Sequence, residues 1–325
     1  MKELYIQLSR HRVLAVTLVL ILFPWVMPYE ALAVNILIFG LFAVGYNLLF
    51  GYTGLLSFGH AAFFGMGSYF TGMSIVYWSS PWYLAILIGV LASLIGGLLI
   101  GYLAIRTRGI YFAMVTLALG QIVYYAFYKA DKWTGGENGL RGVKVSEINF
   151  FGLNLNFVDP ITKYYVLLFF VVIALWFISR VLASPFGAVI EAVRENEKRA
   201  AACGFDVMRT KLLAFVISAG ICGLAGCLRA LHLSIVPVDS LHYLQSGQVV
   251  MMSLLGGMGT FFGPFVGAGV LLYLEDVITT LTKHWMAIVG AIFIFFVLFF
   301  PKGIWGSILH RIERRLSIIA HEELR

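Results

Sequence analysis

The sequence predicts an all-α polytopic membrane protein with about ten transmembrane helices, and three observations predict it. Of 325 residues, 61% are hydrophobic and only 12% charged, about half the charge of an ordinary soluble domain, and mean hydropathy is +0.91. Stretches free of Asp, Glu, Lys and Arg recur at lengths that suit helices crossing roughly 30 Å of hydrocarbon, about 20 residues each. Long alternating strands are not a feature of the sequence, so helices are preferred to a barrel.

The first span is Val13–Tyr29. Arg10, Arg12 and the following Ala31-Leu32-Ala33 imitate a cleavable signal peptide, but the apolar run is long and resumes at once, so a retained first helix is expected. Ala31–Ile105 holds 75 residues without a charge, room for about three crossings, and Gly109–Tyr128 makes the fifth. Lys129–Lys163 carries five basic and four acidic residues and the turn-rich strings WTGGENGLRG and FFGLNLNF, as expected of an ordered loop outside the membrane. Tyr164–Ser179 is the sixth span and Leu212–Leu228 the seventh. Ser240–Leu274, continued to Thr282, holds two short spans, and His284–Phe300 is the tenth. Trp25, Trp78, Trp82, Trp133, Trp285 and Trp305 fall near the expected boundaries and read as interface anchors.

The net charge of +7 is topological rather than a sign of nucleic-acid binding. Basic residues gather at Lys2, Arg10 and Arg12, at Arg106 and Arg108, at Arg194, Lys198, Arg199, Arg209 and Lys211, and at Arg311, Arg314 and Arg315. With all four clusters in the cytoplasm, ten crossings satisfy every parity constraint. Both termini are then cytoplasmic, residues 129–163 periplasmic, and residues 184–211 a cytoplasmic loop within a single transmembrane domain spanning residues 1–325. The three cysteines, Cys203, Cys222 and Cys227, fit no disulfide framework or metal spacing.

Two places break the apolar pattern in an informative way. Residues 51–67, GYTGLLSFGHAAFFGMG, carry five glycines, a serine and a histidine where leucine would be ordinary. Glycine weakens a helix by about 1 kcal/mol relative to alanine, and unwound backbone at membrane depth persists only inside protein or beside a wet cavity. Gly51, Gly54, Ser57, Gly59 and His60 therefore read as a turn or helix break beside a pathway, or as a cytoplasmic hairpin; the two readings coexist. A shorter echo, LGGMGTFFGPFVGAG, places Gly256, Gly257 and Gly259 in the opposite half, with Gly51 and Gly54 matching Gly256 and Gly259. Paired glycine-interrupted segments are what a transporter built from structural repeats shows. His60 reads equally as a packing histidine bonded within the protein. Glu275 and Asp276 read as a solvated helix end, or as proton sites if transport is gradient-driven.

The second place is GAVIEAVRENEKRAAACGFDVMRTK, whose apolar residues recur near helical spacing with Glu191, Arg194, Glu195 and Lys198 interleaved. Gly204 supplies a helix stop and Asp206 a cap for the next helix. A short amphipathic helix between two spans is expected. The sequence has no G-x-x-x-x-G-K-[ST] phosphate loop, so any use of ATP requires another chain.

The strings GYNLLFGYTGLLSFGHAAFFGMGSY, RTRGIYFAMVTLALGQIV, TGGENGL, FGAVIEAVRENEKRAAACGFDVMRTKLLAFVISA, SLLGGMGTFFGPFVGA and PKGIWG, in this order, resemble the LivM-type permease subunits of high-affinity branched-chain amino-acid ABC importers. The resemblance covers nearly the whole chain. It implies a bacterial inner-membrane permease with no catalytic residue, metal or cofactor of its own, ATP and Mg being held by partner chains. The implied partners are a second homologous permease, two ATP-binding cassette subunits and a periplasmic solute-binding protein. It also implies that Glu191–Gly204 is the coupling loop inserted into the ATPase, with Glu191, Arg194, Glu195 and Lys198 as polar contacts. Ala200, Ala201 and Ala202 would then permit close approach, and Gly204 would set the exit turn. Cys203 and Phe205 depart from the commoner family form. Permeases for urea, short amides and aromatic acids share the pattern, and a gradient-driven secondary transporter is the alternative from another class.

Overall fold

The chain folds as a bundle of helices in the computed structural model, which describes residues 12–145, 147–150, 153–157, 159–300, 302–309 and 311. Lys2, Arg10, Arg314 and Arg315, and with them the expected placement of both termini, lie outside the described residues. Helices α1 (Arg12–Val26), α2 (Glu30–Thr53), α3 (His60–Trp78), α4 (Trp82–Ala104) and α5 (Ile110–Lys129) come first. The short α6 (Asp131–Thr134), strands β1 (Leu140–Arg141), β2 (Glu147–Phe150) and β3 (Leu153–Asn156), and α7 (Pro160–Leu182) follow. Then come α8 (Pro185–Glu195), α9 (Glu197–Ala202), α10 (Val207–Leu233), β4 (Ile235–Val236), α11 (Tyr243–Gly256), α12 (Gly263–Leu281) and α13 (Trp285–Phe299).

Seven of these are long and apolar enough to cross a membrane: α2, α4, α5, α7, α10, α12, and α13 with its continuation to Leu309. The remaining expected crossings fall on α1, α3 and α11, of 15, 19 and 14 residues. The ends follow local chemistry. Asp159 caps α7, its side chain accepting from the Thr162 amide at 3.0 Å with Pro160 in the first turn, where proline's missing N–H costs nothing. Asp206 caps α10 in the same way through the Arg209 amide.

Helices α2 and α10 form the centre. α2 is buried along nearly its whole length, and α10 packs against α2, α3 and α4. Lipid offers no hydrophobic drive for helix association, so close approach of backbones must supply the contact. Gly226 of α10 lies so near α3 that a Cβ there would stand 1.8 Å from the Phe64 carbonyl oxygen. Ser68 Oγ donates to the Gly226 carbonyl at 2.7 Å across the same crossing. Around this centre α7 packs on α1 and α2, and α11 and α12 form a hairpin against α2. The outward faces of α4, α5 and α13 leave Leu98, Tyr111 and Leu298 among their exposed apolar residues, as expected of surfaces that meet lipid or another chain.

Among the described residues of 131–157, strand pairing sets the path of the chain. β1 joins β4 antiparallel, Leu140 opposite Val236, and β2 pairs with β3. Leu140, Val143 and Val236 form a small second core with Tyr69 and Leu241, fixing this loop over the ends of α3 and α10. Helices α8 and α9 lie at the other end of α10.

Candidate functional site: an amphipathic segment seated on two glycine turns

Helix α8 starts with Pro185 in its first turn and buries Ile190 and Val193 against the bundle, leaving Glu191, Arg194 and Glu195 exposed. The single amphipathic helix expected here is two. Asn196 adopts an extended conformation (φ −160°), and its side-chain oxygen accepts from the Arg199 amide at 3.0 Å. Asparagine offers the backbone an alternative to the helical ladder and so ends one helix and starts the next. The alanine run is divided as well. Ala200 is buried against the permease, while Lys198, Ala201 and Ala202 face outward. Gly204 follows at φ 88°, with nothing within 4 Å of the point where a Cβ would stand, so backbone conformation alone selects glycine there.

Glu197 anchors the segment. It pairs with the buried Lys211 amine of α10 and lies 3.9 Å from Arg108 in the α4–α5 connection. Two of the basic clusters that the sequence assigns to one side of the membrane thus meet at one acidic side chain.

The glycines of the two echoing segments meet beside α8. Gly54 caps α2 at φ 76°, and Gly257 and Gly259 turn the α11–α12 hairpin at φ 119° and 72°. Asn47, buried in α2, ties that helix to the α11–α12 turn: its amide donates to the Thr260 carbonyl at 2.9 Å, and its oxygen accepts from the Gly259 amide at 3.1 Å. A Cβ at Gly51 would fall 2.0 Å from that oxygen and 2.5 Å from the Gly259 nitrogen. Arg194 lies over both turns. Its Cγ would stand 3.2 Å from a Cβ at Gly54, and its Nη1 3.0 Å from one at Gly259. Gly256 completes the hairpin, where a Cβ would stand 1.8 Å from the Gly263 carbonyl oxygen.

Residues 54–59 are non-helical, and His60 begins α3. His60 is fully buried, with Nδ1 2.9 Å from Ser57 Oγ and Nε2 3.1 Å from Ser218 Oγ. Ser218 donates its own proton to the Gly45 carbonyl at 2.6 Å, and Ser57 Oγ accepts from the Gly59 amide at 3.3 Å. These bonds assign the tautomer: Nε2–H donates to Ser218, and Nδ1 accepts from Ser57. Tyr46, Phe63 and Phe215 meet the imidazole edge-on, with ring centroids 5.1 to 5.4 Å apart. Phe58 N–H donates to Thr116 Oγ at 3.2 Å, and a Cβ at Gly59 would lie 2.4 Å from the Thr116 carbonyl oxygen. The break is bolted to α2, α5 and α10.

Of the residues singled out from sequence, Gly51, Gly54, Gly256, Gly257, Gly259 and Arg194 come together in one place. Ser57, Gly59 and His60 lie further along the break, toward α5 and α10. Glu197, Asn196 and Ser218 carry structural contacts that no spacing in the sequence marks. Glu275, read from sequence as a solvated helix end, is instead half-buried within α12 and bonded to Gln248 at 2.8 Å. Among the described residues no three His, Cys, Asp or Glu side chains gather as a metal site. The arrangement seats one amphipathic helix on two glycine turns.

Residues 29–297 match the protein family described as "Branched-chain amino acid transport system / permease component". The chain is 30% identical to the high-affinity branched-chain amino acid transport system permease protein LivM of Escherichia coli, over 82% of this chain and 68% of that protein. It is 25% identical to the LivH permease of the same kind of system from Salmonella typhimurium, over 82% of this chain and 91% of that one. It is also 31% identical to the autoinducer 2 import system permease protein LsrC of an Enterobacter species, over 60% of this chain and 54% of that one. No solved structure matches.

Proposed function

Because the chain belongs to the permease components of branched-chain amino acid transport systems, we propose that it carries branched-chain amino acids into the cytoplasm as one transmembrane half of an ABC importer. It is a multi-pass membrane permease and has no catalytic role of its own. Its partners are a second homologous permease, two ATP-binding cassette subunits that hold ATP and Mg, and a periplasmic solute-binding protein. Residues 184–211 face the ATPases in the cytoplasm, and residues 129–163 face the periplasm.

The observation that carries this reading is Arg194. One exposed, amphipathic helix tethered between two spans touches the glycine turns of both the α2–α3 and α11–α12 hairpins. A partner gripping Glu191, Arg194, Glu195, Lys198, Ala201 and Ala202 would move both hairpins at once, which is how a motor outside the membrane alternates access within it. Gly54, Gly257 and Gly259 serve as hinges, Gly51 and Gly256 let the two turns approach, and Ser57, Gly59 and His60 hold the break in register.

Reconstitution of the chain with its partner permease, ATPases and binding protein into sealed vesicles tests the reading. ATP without an ion gradient should drive uptake of leucine, isoleucine and valine in preference to urea, an aromatic acid or autoinducer 2. Uptake that requires a gradient and ignores ATP would refute it.

A further inference from the structure

Resting on the proposed import of branched-chain amino acids, we infer that the cavity between α5, α11, α12 and α13 is a chamber for the solute within the permease, and that Glu275, Gln248 and Gln245 receive its ammonium group. The cavity has a volume of about 770 Å³, within the range of small-molecule sites. Tyr124, Asp239 and His242 form its rim and also border an adjoining vestibule of about 590 Å³. From there it runs along α11 toward Leu254, near the glycine turn, and Phe58 of the helix break lines it as well.

The walls specify the occupant. Val250, Met251, Leu254, Val289 and Phe293 present an apolar surface suited to an aliphatic side chain. Set into it are groups with an excess of acceptors. Gln248 Nε2 donates to Glu275 Oε1 at 2.8 Å, and among the described residues no Lys, Arg or His pairs with Glu275. Gln245, one turn earlier on the same face of α11, turns a buried side-chain oxygen to no partner. A half-buried carboxylate without a cation and an orphaned, buried carbonyl oxygen are each costly, and an ammonium, with three donors and no acceptor, suits both.

Contact with the coupling machinery favours a chamber over a lipid-filled crevice. Phe58 belongs to residues 54–59, the break whose first residue, Gly54, lies under Arg194. The element that the coupling segment touches is therefore the one that lines the cavity. A carboxylate without an N–H donor would leave Glu275 and Gln245 unmet, whereas leucine, isoleucine and valine offer both the ammonium and the aliphatic group.

The test uses the assembled transporter in vesicles, without binding protein, carrying Met251→Cys in a Cys203→Ser background; Cys222 and Cys227 are buried. A membrane-impermeant maleimide applied from the outer face should label the introduced thiol. Leucine and 3-methylbutylamine (ammonium without carboxylate) should slow the labelling, and 4-methylpentanoate (carboxylate without ammonium) should not. Glu275→Gln should raise the half-protecting concentration of both amines by roughly tenfold to a hundredfold, the worth of a charge-assisted hydrogen bond, and Glu275→Asp should restore part of it. An unreactive thiol would overturn the inference, because a partner helix or lipid then fills the cavity. So would protection that ignores the ammonium or the Glu275 variants. Leucine uptake by parallel vesicles supplied with the binding protein and ATP separates the two readings: uptake with failed protection removes the chamber and leaves the importer. Absent leucine uptake removes the importer reading, and 3-methylbutylamine protection still decides the ammonium site.

Discussion

Replacing Asn47 by alanine removes the α2 side chain that bonds α2 to the Gly259–Thr260 turn. Asn47 is buried, and it makes one hydrogen bond to the Thr260 carbonyl at 2.9 Å and accepts another from the Gly259 amide at 3.1 Å. A net hydrogen bond contributes about 0.5–1.5 kcal/mol, so two give about 1–3 kcal/mol. Gly259 and Thr260 are only half-buried, and water reaching their freed groups holds the loss to the lower half of that range. Asn47→Asp should cost at least as much, because a carboxylate oxygen would face the Thr260 carbonyl and a charge would be buried. The assay has two parts. Unfolding of the purified permease should show the modest loss, and reconstituted transporters should show ATP hydrolysis partly uncoupled from uptake, since Arg194 would no longer move both turns together. Stability within about 0.3 kcal/mol of the parent and unchanged coupling in both variants would refute the tie.

Gly204→Val puts a β-branched residue at φ 88°, a strain of about 1–2 kcal/mol with no clash to relieve; the variant should insert and assemble yet lose solute-stimulated ATP hydrolysis, and normal transport would remove Gly204 from the coupling turn. Gly226→Ala forces a Cβ onto the Phe64 carbonyl and should lower stability by about 1–3 kcal/mol, read as the unfolding midpoint. Gly59→Leu meets the Thr116 carbonyl and should abolish uptake even in the fraction that assembles; wild-type uptake would show that the break tolerates displacement. Reporter fusions after Arg108 and Arg199 should be cytoplasmic and one within residues 135–149 periplasmic, and a shared side would overturn the topology.

Much of the fold was legible because membrane helices declare themselves by length and lack of charge. The spans expected at Val13–Tyr29 through His284–Phe300 coincide in order with helices α1 to α5, α7 and α10 to α13. The glycine strings at 51–59 and 256–259 were legible as irregular backbone for the same reason. What the sequence hid was contact between residues far apart. Nothing near Asn47 signals Gly259, over 200 residues away, and nothing in E-K-R marks Glu197 as the partner of Lys211 rather than another surface charge. The break at Asn196 was hidden by competition: the helical period runs through it, but the side-chain cap wins locally. Glu275 was misread because an acid near the end of an apolar stretch is normally solvated. Only the packing of α11 against α12 shows otherwise.

The position of Arg194 also limits how the permease works under the proposed function. A lever acting on one hairpin would open the bundle on one side and strain the α2 contacts of the other. Arg194 instead touches Gly54 and Gly259, and Asn47 ties α2 to the second of these turns. Force entering through the exposed face of α8 and α9 therefore reaches the α2–α3 and α11–α12 turns as a unit. The crossing of α3 and α10, by contrast, is closed by backbone contact at Gly226 and by the Ser68 bond. Packed interfaces of this kind switch between discrete arrangements rather than deform continuously. The α3–α10 crossing is thus the fixed frame, and the glycine turns, with φ values that only glycine adopts cheaply, are where motion concentrates. Phe58 lies between the two, in the break whose far end is bolted to Thr116, Ser218 and Gly45. Under the proposed function a rotation at Gly54 is taken up over residues 55–57, while Phe58, held by its amide on Thr116, and His60 stay in place.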